Sequence, residues 1–146
     1  ERAAPTSNGG SITGLYSVLV EGDDLSDPVA DTARGLLDGH IVLSRELANR
    51  GHFPAVDILS SLSRLESVLA TPKEIQAMRR VRAWLAKVEE SRDLIAVGAY
   101  QPGADALLDE ALENLEGVER FMVQEMNSLS PLDGTLRELV RLGRVE

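Results

Sequence analysis

The 146 residues carry a formal charge of −9, no cysteine and two histidines, which removes a disulfide framework and thiolate metal sites and leaves a structural zinc site short of ligands. The acidic balance argues against nucleic acid as a principal partner and suits a solvated assembly surface or a basic protein partner. At 43% hydrophobic residues the chain can bury one compact core or two small ones; no apolar run approaches a membrane span and the start lacks the marks of a signal peptide, so the cytoplasm is the expected location.

Glu1-Arg2-Ala3-Ala4 reads as the frayed end of a helix whose earlier turns are missing, so the chain is expected to be a fragment or a processed product. Gly9-Gly10-Ser11 is turn chemistry; the phosphate-binding pattern Gly-x-x-x-x-Gly-Lys-Ser/Thr does not occur. Ile12 to Val20 is rich enough in Ile, Thr, Tyr, Val and Leu to predict a strand of a parallel sheet. Asp23, Asp24, Asp27 and Asp31 offer carboxylates to a hard cation, but Asp27 as an N-cap with Pro28 at the first helical position is the better reading, with a helix to about Leu37.

His40 to Leu43 predicts a short buried strand, Ser44 caps a helix to Arg50, and Gly51 ends it. Phe53-Pro54 forces extended backbone before Ala55 to Leu59, and Ser60-Ser61-Leu62-Ser63-Arg64 closes the segment with small polar residues and a long cation. Such a corner can present Phe53 and Arg64 on one surface. The serines are not read as nucleophiles, since no His or acidic pair stands in sequence to activate them.

From Thr71 helical periodicity takes over. Thr71-Pro72-Lys73-Glu74 is a capping box with proline at the first helical position; Ile75, Met78, Val81, Leu85 and Val88 form an apolar stripe in a helix that can continue through Leu94 and Ile95 to Gly98. Arg79, Arg80, Arg82 and Lys87 fall off that stripe, as a solvated face or a basic docking face. Tyr100-Gln101-Pro102-Gly103 is a turn, and Leu108, Ala111, Leu112, Leu115, Val118 and Met122 make the stripe of a second helix, giving an antiparallel hairpin with its tip at Tyr100 to Asp105. Ser130-Pro131-Leu132-Asp133 opens a last helix that ends near Gly143.

Three stretches, Glu21-Gly22-Asp23-Asp24, Asp38-Gly39-His40-Ile41-Val42-Leu43-Ser44-Arg45 and Gly98-Ala99-Tyr100-Gln101-Pro102-Gly103, together with the corner from Phe53 to Arg64, carry a resemblance. From Glu1 to about Gln124 the chain resembles the flagellum-specific and type III secretion ATPases, relatives of the catalytic subunit of rotary ATP synthases. The resemblance implies the remnant of an α/β P-loop (RecA-like) ATPase core, residues 1–69, followed by an all-α C-terminal domain, residues 70–146, the whole predominantly helical. It implies that the intact protein binds ATP and Mg2+ and hydrolyses ATP to energise protein export. The phosphate-binding loop, catalytic glutamate and magnesium-binding aspartate of the family lie upstream of the point matching Glu1, so this segment alone is expected to bind neither ligand and to be inactive; no metal ligand is expected within it.

By the same resemblance Phe53 is the adenine-stacking aromatic, Arg64 an arginine finger acting in trans, and Tyr100, Gln101, Pro102, Gly103 and Asp105 the tip that meets a central coiled-coil stalk. A core phenylalanine, a structural salt bridge and a plain helix connection are the respective alternatives. The implied assembly is a homo-hexamer at the cytoplasmic face of the inner membrane, working with the stalk, a peripheral regulator, the export gate, export substrates and chaperones, and not with nucleic acid. A rotary ATP synthase subunit and a non-enzymatic helical module are the competing readings.

Overall fold

The computed structural model describes residues 13–20 and 27–145. Asp23 and Asp24, and the residues expected to form the glycine turn, lie outside that range. The chain divides into two compact units that meet between His40 and Ile41.

In the first unit Asp27 caps α1 (Pro28–Leu36), its carboxylate accepting the N–H groups of Val29 at 2.9 Å and Ala30 at 3.2 Å. Proline at the first helical position and an acid at the helix start are what the sequence predicts there. Thr13 to Val20, by contrast, has no regular secondary structure, and Leu15 and Leu19 are exposed. The strand expected over this segment is absent because a strand exists through its neighbours, and the described residues supply no third strand to pair with it.

The second unit takes in most of β1 (Gly39–Leu43), followed by α2 (Arg45–Asn49), β2 (Val56–Ser63), α3 (Glu66–Leu69), α4 (Pro72–Glu90), α5 (Arg92–Ala96), α6 (Ala106–Met122) and α7 (Leu132–Leu142). Its sheet has two strands, β1 beside β2. Ile41 and Leu43, expected to be buried, are 72% and 71% exposed. They alternate onto one face of β1, and that face has no covering layer among the described residues, unlike a parallel strand sandwiched between helices.

The capping box at Thr71 forms as predicted, with the Thr71 N–H donating to Glu74 at 2.6 Å and the Glu74 N–H to the Thr71 hydroxyl at 3.4 Å. The core face of α4 overlaps the predicted stripe, sharing Val81 with it. Ala77, Val81 and Trp84 are the buried residues, Trp84 at 1% exposure, while Leu85 and Val88 only flank them. Spacings of four and three residues hold for Ala77, Val81, Trp84 and Val88 as well, so the period is as predicted and the buried face is rotated by part of a turn, keeping Val81 and Val88. Packing decides the phase: α4 lies against both α6 and α7, and a helix with two partners turns its smallest and largest apolar residues toward the seam between them.

The helix also ends earlier than predicted. Ser91 takes a non-helical conformation, closing α4 and opening the short α5, and Gly98, at φ +69°, stops that segment. On α6 the predicted stripe holds: Leu108, Ala111 and Val118 are buried. Contacts establish the antiparallel sense, since Lys87 pairs with Asp105 and Arg80, two turns earlier on α4, pairs with Glu110 further along α6. The final helix completes the core through Leu139 and Leu142. A Cβ on Gly143 would come within 2.8 Å of the Ala77 Cα and Cβ, so glycine lets α7 end directly against α4.

Candidate functional site

The corner around Phe53 is fixed by local bonds. The Leu47 N–H caps onto the Ser44 hydroxyl at 3.3 Å, the Ser44 N–H reaches the Ala55 carbonyl at 2.8 Å, and Gly51, at φ +75°, allows the His52 N–H to return to the Leu47 carbonyl at 3.0 Å. This is the left-handed exit that glycine provides after a helix. The next residue, Phe53, stands outside the core at 54% exposure, and its carbonyl accepts the Gln124 N–H from just past α6 at 2.9 Å. The Phe53-Pro54 peptide bond is cis. An apolar aromatic face is thus offered to solvent on a loop tied down at both ends.

Eight residues of β2 separate this corner from Arg64. Phe53 thus precedes β2 and Arg64 follows it. Arg64 is exposed in the turn after β2. Ahead of it, Asp57 organises the strand: its carboxylate accepts the N–H groups of Leu59 at 2.9 Å and Ser60 at 3.0 Å and the Ser60 hydroxyl at 2.6 Å, while its carbonyl accepts the Ser61 hydroxyl at 2.6 Å. The Ser61 oxygen in turn accepts the Val42 N–H of β1 at 2.9 Å. A single acid therefore stands beside Ser60. With the carboxylate already engaged by two amides, it holds backbone and does not activate a nucleophile.

Burial raises the Asp57 pKa, but the Ser60 hydroxyl and amide, the Leu59 amide and the charge of Arg82 outweigh it and leave the carboxyl below the usual range. Arg82 belongs to α4, and its Nη2 donates to the carbonyls of Leu59 at 3.3 Å and Ser61 at 3.2 Å. The cationic side of α4 is therefore neither a solvated face nor a docking face as a whole. Arg82 grips β2, Lys87 bonds Asp105 at 2.9 Å, and Arg80 pairs with Glu110 while lying over the Trp84 ring, 5.6 Å from its centroid. Burial raises the Glu110 pKa, yet Arg80, with the Trp84 indole acting in the same direction, holds it low.

At the hairpin tip Tyr100 is half-buried. The Tyr100 hydroxyl donates to Asp109 at 2.7 Å and lies 3.1 Å from the Asp105 carbonyl, and the Gly103 N–H donates to the other oxygen of Asp109 at 2.8 Å. Burial and the Asp109 carboxylate both raise the Tyr100 pKa. Asp105 caps α6 through the N–H groups of Leu107 and Leu108; its hydrogen bond from Lys87 lowers its pKa and raises that of Lys87. What faces outward is the backbone and side chains of Gln101, Pro102, Gly103 and Ala104. Asp57, Arg82 and Asp109 were all missed from the sequence. Asp57 and Asp109 have readable local signals in their two- to six-residue spacing to the amides they bind, whereas the partners of Arg82 lie 21 and 23 residues away.

Two family models cover the chain: the nucleotide-binding domain of the ATP synthase alpha/beta family matches residues 1–63, and the C-terminal domain of the type III secretion ATPase EscN matches residues 70–141. A flagellum-specific ATP synthase of Helicobacter pylori is 46% identical over 99% of this chain, and a type 3 secretion system ATPase of Pseudomonas syringae is 46% identical over 97% of it. The chain belongs to the flagellum-specific and type III secretion ATPases. It spans about a third of the length of these export ATPases, 33% and 31% respectively. Among solved export ATPases it is similar to the assembled ATPase EscN of enteropathogenic E. coli, with a TM-score of 0.88 and 37% identity over 92% of this chain and 33% of that one. It is also similar to EscN in complex with its central stalk EscO, with a TM-score of 0.86 and 35% identity over 97% of this chain and 33% of the other. No helix among the described residues is long and apolar enough to cross a membrane.

Proposed function

We propose that the chain is the C-terminal part of a cytoplasmic ATPase that energises flagellar or type III protein export by hydrolysing ATP in a homo-hexameric ring at the inner face of the membrane. One observation carries the reading: the nucleotide-binding match at 1–63 is followed by a match at 70–141 to a C-terminal domain named for type III secretion, which favours export over a rotary ATP synthase or a free-standing helical module. Residues 1–69 are then the end of a P-loop (RecA-like) nucleotide-binding domain and residues 70–146 the helical domain.

In this reading Phe53 stacks on adenine. A half-exposed apolar ring on a capped loop fits a purine face, so the described residues suit that end of ATP. Mg2+ and the phosphates are assigned in this reading to the loop amides, lysine and carboxylates of the intact protein. Arg64 meets the transferred phosphoryl group of the neighbouring subunit, where a planar, permanently charged guanidinium stabilises charge spread over the equatorial oxygens. The outward residues of the tip, held by Asp109 and Asp105, meet the central stalk, a role supported by the likeness to EscN bound to EscO. A peripheral regulator, the export gate, substrates and chaperones complete the set of partners.

The direct test is turnover of the full-length protein. Arg64→Ala should lower kcat by about 10³-fold or more with the ring still assembled, and near-normal turnover would remove the assignment.

A further inference from the structure

We infer that Arg82 is a positioning residue, fixing the end of β2 from the helical domain so that Arg64 is held for catalysis. This rests on the reading of Arg64 given above. Four observations converge on the strand end. Arg82 Nη2 donates to two β2 carbonyls, Leu59 at 3.3 Å and Ser61 at 3.2 Å, the second only three residues before Arg64. Asp57 holds the Leu59 and Ser60 amides of the same segment, so it is fixed on both its donor and its acceptor sides. Ser61 is bonded on to β1 through the Val42 amide. Beyond these, α4 carries no other cation bonded to β2 in the described hydrogen bonds.

The position of Arg82 on α4 gives the contact its consequence. Two residues further on is the fully buried Trp84, and five residues further is Lys87, bonded to the Asp105 cap at the base of the hairpin tip. Arg82, Trp84 and Lys87 thus lie on one helix that touches the tip at one end and the strand leading to Arg64 along its side. A tilt or shift of α4 that breaks two hydrogen bonds at Leu59 and Ser61 frees the strand end, and a guanidinium displaced by about 1 Å can lose on the order of 10²-fold in rate. The helical domain then acts on turnover without touching a nucleotide.

The experiment is a double-mutant cycle on the full-length ATPase, with Arg82→Ala, Arg64→Ala and the double variant. Arg82→Ala should lower kcat roughly 10- to 100-fold with KM for ATP nearly unchanged and the ring retained. The double variant should be no slower than Arg64→Ala alone, because one change acts through the other. Arg82→Lys, which keeps a cation with several donors, should recover part of the loss and serves if the alanine variant does not fold. If Arg64→Ala is inactive while Arg82→Ala lowers kcat independently of it, or leaves kcat intact, the positioning role fails and the finger stands. Normal turnover by Arg64→Ala would overturn both.

Discussion

Phe53 can offer a nucleotide no charge and no side-chain hydrogen bond, only an apolar plane, so its removal should act on binding and leave the chemical step alone. Phe53→Ala in the full-length protein is expected to raise KM for ATP several-fold with kcat and melting temperature little changed. A lowered melting temperature with unchanged KM would instead make it a packing residue. Asp57 gives a pH signature. Its folded pKa lies below its unfolded one, so its contribution to stability is fully present above the unfolded pKa and is lost as pH falls through the folded value. Asp57→Asn should lower the melting temperature at neutral pH and flatten the acid limb of the melting-temperature curve, the two proteins converging at low pH. At this scale the sequence was informative where partners are close: Asp27, Ser44 and Thr71 cap helices within a turn. Arg82 and Trp84 act through residues far along the chain, and no local pattern could show it.

Helix α7 shows how much an element depends on one atom. Gly143 has an ordinary φ of −69°, so its glycine is required by contact and not by conformation. Gly143→Ala places a Cβ 2.8 Å from the Ala77 backbone, which cannot yield, and should destabilise the helical domain by roughly 1–3 kcal/mol. Gly117→Ala meets only the terminal Leu142 Cδ1 at 3.2 Å, which can rotate away, while a helical alanine gains about 0.5–1 kcal/mol over glycine. Its stability should stay within that gain of the parent. Chemical denaturation of both variants checks the contrast. Helix existence was legible here because α4, α6 and α7 each have a clear period and punctuated ends. The buried face of α4 was legible in part: Val81, Leu85 and Val88 of the predicted stripe face the core, while Ala77 and Trp84 turn inward where α7 adds a second partner. The N-terminal strand failed for the reason that strands usually fail: its existence depends on neighbours and not on its own residues.

At the scale of the molecule, the helical domain joins the hairpin tip to β2 through α4. The tip is a built loop, because Asp109 holds both the Tyr100 hydroxyl and the Gly103 amide, and it presents Gln101 to Ala104 in a fixed shape at little entropic cost. Tyr100→Ala with Gln101→Ala should weaken binding of the stalk protein and abolish its stimulation of hydrolysis, while basal turnover remains. Unchanged stimulation would reduce the tip to a connector. The central claim is a ring in which each nucleotide is completed by the neighbour's Arg64. Its most direct test mixes two inactive full-length variants, Arg64→Ala and one lacking the phosphate-binding lysine, under conditions where subunits exchange. The account predicts that hydrolysis returns, because mixed rings contain interfaces where an intact phosphate site faces an intact Arg64. A mixture as inactive as its parents, with mixed rings present, would contradict it.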